Sequence, residues 1–232
     1  GTAVVITGAA ARIAQEAALL QQLERSGWLN DVCFISGSSS GALNAVVLNS
    51  ILDKKFTWER YQSILFKLTD ENIFLRNERS LPVNNNPFRN LLMRIVNDSL
   101  GYRRMGDLPV NSAISVSDIS ALPPHAETYR LSNIKINQES NPEIDLVEAL
   151  MATSAIPLFF PPAKFNDSSG LPRSAFIDGG LADDHLPYTA VLQFEKFRQS
   201  GIDTLIIVSR KSDTKPNMKD ELQNFDLYES RL

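Results

Sequence analysis

Short apolar runs alternate with longer stretches of helical spacing along the first part of the chain. Residues 3–7 form an apolar, β-branched run typical of a buried strand, and residues 11–25 follow with apolar side chains on one helical stripe. A second such pair comes next, with an apolar run at residues 32–36 and helical spacing at residues 42–52. Two β-then-α units in a row predict a parallel sheet that is covered by helices on both faces.

Residues 53–110 break this alternation and carry mainly helical signals. Residues 56–68 have the spacing of an amphipathic helix, residues 81–87 contain the prolines and asparagines of a loop, and residues 88–100 are helical again. We therefore predict a helical insertion beside or over the functional site. Sheet and helix signals then resume, with strands at 112–117, 127–132, 174–177 and 204–209 and a helix at 145–153.

These elements predict the α/β fold class, with a central, mostly parallel sheet sandwiched between helices in three layers. The chain has 232 residues, which is enough for one sizeable core. We expect residues 1–210 to form one domain. Residues 211–232 are polar and poorly patterned, so we expect a tail or a boundary to a further region.

Charge and composition narrow the classes of function. The net charge of −4 comes from acidic and basic residues scattered along the chain, which argues against a nucleic-acid surface. Cys33 is the only cysteine, so an internal disulfide is impossible and a reducing compartment is compatible. No apolar run approaches the roughly 20 residues of a membrane span, and the opening residues lack a signal-peptide pattern. We expect a soluble domain, cytoplasmic or peripheral to a membrane, trimmed from a longer chain.

Gly37-Ser38-Ser39-Ser40-Gly41 fits the G-x-S-x-G motif between a predicted strand and a predicted helix. Such a turn is tight enough to require glycine two positions on either side of the central serine. It would hold the Ser39 hydroxyl beside a helix N-terminus, whose free N–H groups and dipole favour developing negative charge. Ser39 is thus the predicted nucleophile, with Ser38 and Ser40 structural. The alternative is a Ser/Gly-rich loop in which a serine merely caps the helix.

A serine nucleophile needs a base, and the chain has only two histidines, His125 and His185. His125 lies in a proline-rich turn, and we expect it to be exposed. His185 comes after Asp178, so the chain order Ser, Asp, His of α/β-hydrolases is formally present. The short separation would place Asp178 and His185 in the same loop, however, which disfavours a triad.

Asp178-Gly179-Gly180 supplies a better candidate for the base. It follows an apolar strand, so Asp178 is expected at the point where a sheet ladder stops. A carboxylate that touches Ser39 can take its proton directly, and partial burial would raise the pKa of that carboxylate toward a useful value. The two glycines would permit close backbone approach or a positive φ. The alternative is an ordinary Asp-Gly turn.

Three segments in this order resemble the patatin-like phospholipase family. Residues 37–45 are similar to the family's elbow and following helix, residues 152–162 to a characteristic segment upstream of its aspartate, and residues 178–180 to its Asp-Gly-Gly motif. The similarity extends over nearly the whole chain. It implies a dyad of Ser39 and Asp178 that works without histidine, an α/β sheet between helices, and hydrolysis of lipid acyl esters. No metal or organic cofactor is needed for that chemistry.

The family's glycine-rich loop after the first strand, G-G-G-x-R/K-G, is altered in this chain. The aligned stretch reads Gly-Ala-Ala-Ala-Arg-Ile, so Gly8 and Arg12 match the family pattern. Three glycines of the pattern are replaced, by Ala9, Ala10 and Ile13. We call residues 8–12 the oxyanion loop, because the family uses this loop to supply N–H groups to the oxyanion hole.

The resemblance implies an oxyanion hole made of the backbone N–H groups of Gly8, Ala9, Ala10 and Ser40. Alanine can still donate when its φ is negative, but at a positive φ each alanine costs about 1–2 kcal/mol, and isoleucine fits worse. Arg12 is expected either to contact a substrate phosphate or to form an ion pair that anchors its loop. The altered loop motivates two alternatives: a lipid- or protein-binding module, or an enzyme whose loop must be ordered by a partner or a lipid surface.

A second departure follows the Asp-Gly-Gly motif, where the family tends to have an asparagine shortly before a proline. This chain has Asp183-Asp184-His185 in that stretch, followed by Pro187. We interpret the extra carboxylates as a solvated face. One alternative is that these carboxylates repel anionic head groups. Another is that they form a metal site together with Asp178, but the sequence has no further cluster of ligands at the spacing of a metal site.

The leading hypothesis is a lipid acyl-ester hydrolase of the phospholipase A or lysophospholipase type, acting on a phospholipid or a lysophospholipid. Peripheral membrane contact and an activating protein partner are compatible with it. Residues 56–68 are expected to pack in the core, and the alternatives for them are an acyl pocket and a membrane-facing surface.

Overall fold

The computed structural model describes residues 1–75, 81–119, 127–166, 172–180, 187–198 and 201–209. The strands in these ranges are β1 (Thr2–Ile6), β2 (Val32–Gly37), β3 (Asn111–Asp118), β4 (Glu127–Ser132), β5 (Ala163–Asn166), β6 (Pro172–Asp178) and β7 (Thr204–Val208). The helices are α1 (Ile13–Arg25), α2 (Ser40–Leu52), α3 (Trp58–Leu65), α4 (Asn86–Leu92), α5 (Leu146–Thr153) and α6 (Thr189–Arg198). Shorter helical pieces are a π-helical continuation of α4 (Met93–Ser99) and 3-10 turns at Ala10–Arg12, Asp70–Asn72 and Met105–Asp107.

Alternate residues of the central strands enter two separate apolar clusters, one on each face of the sheet. Val4 and Ile6 of β1 pack into a cluster with the apolar sides of α1, α2, α3 and α5. Ala3 and Val5 belong to the other cluster, which contains Phe194 of α6. Helices on both faces of the sheet confirm the predicted α/β sandwich.

The sheet is parallel on one side and antiparallel on the other. Strands β7, β1, β2 and β3 are neighbours in that order and run parallel, as the β-then-α units require. Strands β4 and β6 pair antiparallel with β3, and β5 pairs antiparallel with β6. The described sheet is therefore mixed, with a parallel half and an antiparallel half. The antiparallel strands can follow one another without a crossover helix.

The pairing of β3 brings the ends of β2 and β6 together. Strand β4 lies along one edge of β3, so β2 and β6 must share the other edge. Gly37, the last residue of β2, pairs with Ile114, whereas Asp178, the last residue of β6, pairs with Val116. Because Val116 is two residues beyond Ile114 along β3, the two strand ends meet from opposite directions at one place in the sheet.

The segment at residues 53–110 is helical, as predicted, and its apolar stripe belongs to the core. Trp58, Tyr61 and Leu65 of α3 are buried in the larger apolar cluster. Phe66, the next residue, is 82% exposed. The apolar stripe of α3 therefore packs in the core. Only exposed side chains such as Phe66 are available to face a membrane or line an acyl pocket.

Two described elements, β5 and α6, were not predicted from the sequence. Strand β5 has only four residues, too few for an alternating pattern to be recognised, and it forms through its pairing with β6.

No helix in the described ranges is both long enough and apolar enough to cross a lipid bilayer. The predicted tail at residues 211–232 lies outside the described residues.

Candidate active site

The elbow, residues 37–41, is the turn between β2 and α2, and it places Ser39 immediately before the first residue of α2. Ser39 has φ 51° and ψ −133°, a backbone conformation that residues other than glycine seldom adopt. A Cβ on Gly41 would lie 2.4 Å from the carbonyl oxygen of Ile6, and one on Gly37 would lie 2.7 Å from the backbone of α2. Both positions therefore require glycine, because the elbow is packed directly against other backbone.

The carboxyl group of Asp178 lies close enough to the Ser39 side chain in the elbow for that side chain to lower its pKa. Gly180 donates its backbone N–H to Asp178 Oδ1 at 2.8 Å. Only 7% of the Asp178 surface is exposed, and this burial raises the pKa of Asp178 above its ordinary value, against the opposing effects of the Gly180 N–H group and the Ser39 side chain. A buried carboxyl with a raised pKa beside a serine side chain has the arrangement that general-base catalysis needs.

The backbone around Asp178 is held at three points. Its N–H donates to the carbonyl oxygen of Ala155 at 3.0 Å, and its carbonyl oxygen accepts from Ser117 Oγ at 3.0 Å. A Cβ on Gly179 would lie 2.1 Å from the carbonyl oxygen of Ser115, so the strand end approaches β3 too closely for any side chain there. Of the two roles predicted for the glycines, close approach applies to Gly179.

The oxyanion loop follows β1 and lies beside the elbow. A Cβ on Gly8 would be 2.9 Å from Ser39 Cβ and 3.5 Å from Ser39 Oγ, so the loop backbone reaches the Ser39 side chain. Ala10 has φ 46°, whereas Ala9 has φ −134° and Ile13 is helical with φ −50°. The conformational cost that the sequence predicts for this loop therefore falls on Ala10 and not on Ala9 or Ile13.

One of the four predicted oxyanion donors is already engaged. The backbone N–H of Ala9 donates to Ser40 Oγ at 2.8 Å. The N–H groups of Gly8, Ala10 and Ser40 have no hydrogen-bond acceptor among the described residues. Ser40 thus ties the oxyanion loop to the elbow through its side chain, and three of the four N–H groups are left for an oxyanion.

The sequence matches the model of the patatin-like phospholipase family over residues 4–192, which include the oxyanion loop, the elbow and Asp178. The chain belongs to this family. The match confirms the resemblance that the three sequence motifs indicate. In this chain the family motifs lie on a mixed sheet with helices on both faces.

Two solved structures that align with this chain are longer than it. VipD from Legionella pneumophila aligns with a TM-score of 0.59 at 12% identity, over 96% of this chain and 52% of VipD. The type III effector ExoU aligns with a TM-score of 0.38 at 15% identity, over 96% of this chain and 50% of ExoU. The chain therefore spans about half the length of these two structures. No curated protein matches the chain.

Thr153 is a site residue to which the sequence analysis assigned no role. Its hydroxyl accepts the Ser39 backbone N–H at 2.8 Å and donates to the carbonyl oxygen of Ser115 at 2.6 Å. It therefore links the elbow to β3. Thr153 and Ala155 both lie in the family segment at residues 152–162, and the signal that could have identified them is the position of that segment upstream of Asp178.

Arg12 is exposed at the end of the oxyanion loop. Among the described residues no side chain forms an ion pair or a hydrogen bond with its guanidinium, so the predicted anchoring ion pair is not found within these ranges. A phosphate contact is the alternative that the position of Arg12 leaves open.

Several predicted features lie outside the described residues. They are His125, Asp183, Asp184 and His185, so neither the disfavoured triad nor the carboxylate cluster can be placed relative to Ser39. Within the part of the chain that the structure describes, no group of three or more His, Cys, Asp or Glu side chains has the arrangement of a metal site.

Proposed function

We propose that this chain is a lipid acyl-ester hydrolase of the phospholipase A or lysophospholipase type that uses Ser39 and Asp178 as a catalytic dyad. The observation that carries the proposal is the meeting of the ends of β2 and β6 on one edge of β3, which brings the buried carboxyl of Asp178 to the Ser39 side chain. Membership of the patatin-like phospholipase family supports the lipid substrate class. The elbow and the adjacent oxyanion loop supply the remaining parts that acyl transfer needs.

In the first half-reaction Asp178 accepts the proton of Ser39 while Ser39 Oγ attacks the acyl carbonyl carbon. The carbonyl π electrons move to oxygen, and the resulting oxyanion is held by N–H groups of Gly8, Ala10 and Ser40. When the tetrahedral intermediate collapses, the C–O bond to the lipid alcohol breaks and Asp178 returns the proton to that alcohol. An acyl-enzyme on Ser39 is left.

In the second half-reaction water takes the place of the alcohol. Asp178 accepts a proton from the water while its oxygen attacks the acyl-enzyme carbonyl carbon, and the same N–H groups hold the second oxyanion. Collapse breaks the bond to Ser39 Oγ, which recovers its proton from Asp178. A fatty acid leaves, and both members of the dyad return to their initial state.

Two exposed side chains, one at the end of the oxyanion loop and one in the helical insertion, support a phospholipid or lysophospholipid as substrate. Arg12 ends the oxyanion loop with an exposed guanidinium, which suits the phosphate of a phospholipid or lysophospholipid head group. Phe66 extends an exposed aromatic side chain from the helical insertion. An exposed aromatic ring is compatible with transient contact at a membrane surface, where such rings partition favourably.

The first test is covalent labelling with a fluorophosphonate, which reacts with activated serines. We expect labelling at Ser39, identified by mass spectrometry of the modified peptide. Ser39→Ala should abolish the label. Asp178→Asn should slow it by at least about 10²-fold, because an amide can no longer accept the serine proton. The same variants are then assayed on phosphatidylcholine and lysophosphatidylcholine.

Ser38→Ala is the matched control. Ser38 neighbours the nucleophile in the same turn, is buried, and its hydroxyl has no hydrogen-bond partner among the described residues. Its removal should leave labelling within about twofold of the wild type. A label on another serine, or equal labelling of the wild type and Asp178→Asn, would refute the dyad. A folded wild type without any label would favour a binding module.

A second candidate is an enzyme whose oxyanion loop is completed by a partner or a lipid surface. The observation that favours it is the strained Ala10 in a loop whose residues are mostly exposed. Hydrolysis and labelling should then rise when anionic vesicles or a cell extract are added. Rates that stay constant under every such addition would count against this candidate.

A further inference from the structure

Three polar side chains are buried together where α1, α2 and α3 meet, beneath the oxyanion loop. Tyr61 of α3 donates its hydroxyl to Asn44 Oδ1 at 2.7 Å, and Asn44 Nδ2 donates to Glu16 Oε2 at 3.3 Å. The exposed fractions of Glu16, Asn44 and Tyr61 are 3%, 1% and 0%. Asn44 is the centre of this cluster, since it bonds to both of the other side chains.

Asn44 also bonds to the backbone that follows the oxyanion loop. Its Nδ2 group donates to the carbonyl oxygen of Ile13 at 3.2 Å. Ile13 is the first residue of α1 and comes directly after Arg12, the last residue of the loop. Asn44 itself lies one turn into α2, the helix that begins at Ser40. One side chain therefore connects the end of the oxyanion loop to the helix that carries the elbow.

Burying this cluster costs folding free energy, which argues against a purely stabilising role. Among the described residues Glu16 Oε1 has no hydrogen-bond partner, and burial raises the pKa of Glu16 to about 7. A buried polar cluster can often be replaced as a whole by apolar side chains of similar volume with little loss of stability. What apolar packing cannot supply is the directed bond from Asn44 to the Ile13 carbonyl.

The oxyanion loop needs such a restraint because, apart from the hydrogen bonds within its own 3-10 turn, few bonds hold it in place. Four of its five residues are exposed, and Ala10 has a φ of 46°. A residue in such a sparsely populated conformation persists only where its surroundings fix it. The loop is fixed at its start by the bond from Ala9 to Ser40, and at its end by the bond from Asn44 to Ile13.

We propose that Asn44, oriented by Tyr61 and Glu16, is a positioning residue that sets the oxyanion loop at its working distance from Ser39. The inference rests on the proposed function, since it assigns these side chains to the stabilisation of an oxyanion at Ser39. It adds to that function three buried residues that touch neither the substrate nor the dyad.

Asn44→Ala tests the proposal, with Asn49→Ala as its matched control. Asn49 lies on the same helix, is fully buried, and also bonds to three groups, the carbonyl oxygen of Ala45, Ser112 Oγ and the N–H of Val110. Both variants should lose similar stability. Asn44→Ala should lower kcat about 10- to 100-fold with KM nearly unchanged, because only the transition-state oxyanion is affected, whereas Asn49→Ala should leave kcat of the folded protein unchanged.

If Asn44→Ala does not fold, Tyr61→Phe provides a second test of the proposal. It removes the hydroxyl that orients Asn44 and keeps the ring, and we expect a smaller loss of kcat, about threefold, in the same direction. Equal kcat in Tyr61→Phe and the wild type, or equal losses in the two asparagine variants, would overturn the proposal.

Hydrogen exchange separates this inference from the proposed function. Peptides covering residues 8–13 should exchange about tenfold faster in Asn44→Ala than in Asn49→Ala, and those covering residues 37–41 should not differ. Unchanged exchange at residues 8–13 would remove the positioning role even if the enzyme is active. If the protein has no Ser39-dependent hydrolysis, faster exchange there would still establish the restraint while the proposed function fails.

Discussion

The elbow and the oxyanion loop lie side by side but are built in different ways. The elbow is packed against backbone on several sides, and its Ser39 N–H is held by Thr153 at 2.8 Å. The oxyanion loop is mostly exposed, and it reaches the elbow through the hydrogen bond from Ala9 to Ser40. Ser39 is therefore held by close packing, whereas the oxyanion loop is held by a few directed bonds.

This difference assigns different sensitivities to the two regions. Close packing resists small displacements, so substitutions in the elbow should act first on stability. A loop held by few bonds is at the low end of local stability, so substitutions there should act first on the rate of reaction. Stability and activity can thus be separated by choosing where the chain is changed.

Gly41→Ala and Gly8→Ala test this contrast with the largest expected effect. The Cβ at position 41 would lie 2.4 Å from the carbonyl oxygens of Ile6 and Thr7, which are backbone atoms and cannot move aside, whereas the Cβ at position 8 would meet the Ser39 side chain at 2.9 Å. We expect Gly41→Ala to lower the free energy of unfolding by at least about 3 kcal/mol and Gly8→Ala by about 1 kcal/mol. Urea unfolding measures both, and equal losses would show that the two regions are equally packed.

Glu16→Gln tests the ionisable anchor beneath the loop. Burial raises the pKa of Glu16 from 4.5 to about 7, against an opposing hydrogen bond from Asn44. Between these two pH values the folded state binds the proton more tightly than the unfolded state, so stability is highest at low pH and falls as pH rises to about 7. The loss is on the order of 3 kcal/mol, and Glu16→Gln should escape it, being more stable than the wild type at pH 8 and similar at pH 4.

Urea midpoints at the two pH values measure this effect. Tyr61 is the titratable side chain that interacts with Glu16 among the described residues, and its pKa is raised far above this range, so it stays neutral throughout. Glu24→Gln, two turns further along α1, is the matched control for the loss of one carboxyl group from the same helix. If Glu16→Gln showed the same pH dependence as the wild type, Glu16 would not titrate between pH 4 and pH 8.

The elbow turn and the end of a strand at Asp178 could be predicted from the sequence because their requirements are local. Glycine at positions 37 and 41 and an aspartate at a strand end are visible in single short motifs. That Ser39 and Asp178 meet, however, depends on β2 and β6 sharing one edge of β3, which only the family resemblance implied.

The bonds that hold the oxyanion loop could not be predicted in this way. The acceptor of the Ala9 N–H is the side chain of Ser40, and the donor to the Ile13 carbonyl is Asn44, each on an element distant in the sequence. Periodicity indicates which residues are buried, but not which polar groups face each other after packing. The role of Thr153 was missed for the same reason.

Ser40→Ala tests the bond between the two regions. Without the hydroxyl, the Ala9 N–H loses its acceptor, and we expect kcat to fall about tenfold as the loop drifts from Ser39, with the free energy of unfolding lowered by about 1 kcal/mol. Ser38→Ala is the control in the same turn. A kcat that rises would mean that the released Ala9 N–H acts as an additional oxyanion donor, and that the bond to Ser40 restrains the loop in a less active position.

Ala10→Gly has the smallest expected effect and tests whether the strain in the loop has a purpose. At φ 46° glycine is free of the steric cost that alanine carries, so we expect the free energy of unfolding to rise by up to about 1 kcal/mol. Ala11→Gly, at the next position in the 3-10 turn and without a positive φ, should lower it by about 0.5–1 kcal/mol. If Ala10→Gly instead destabilised the protein, the loop would not be strained at this residue. If it stabilised the protein but lowered kcat, the alanine would be limiting the freedom of the N–H groups on either side of it, and the replacement of the family's glycine would be a means of holding the oxyanion donors in place.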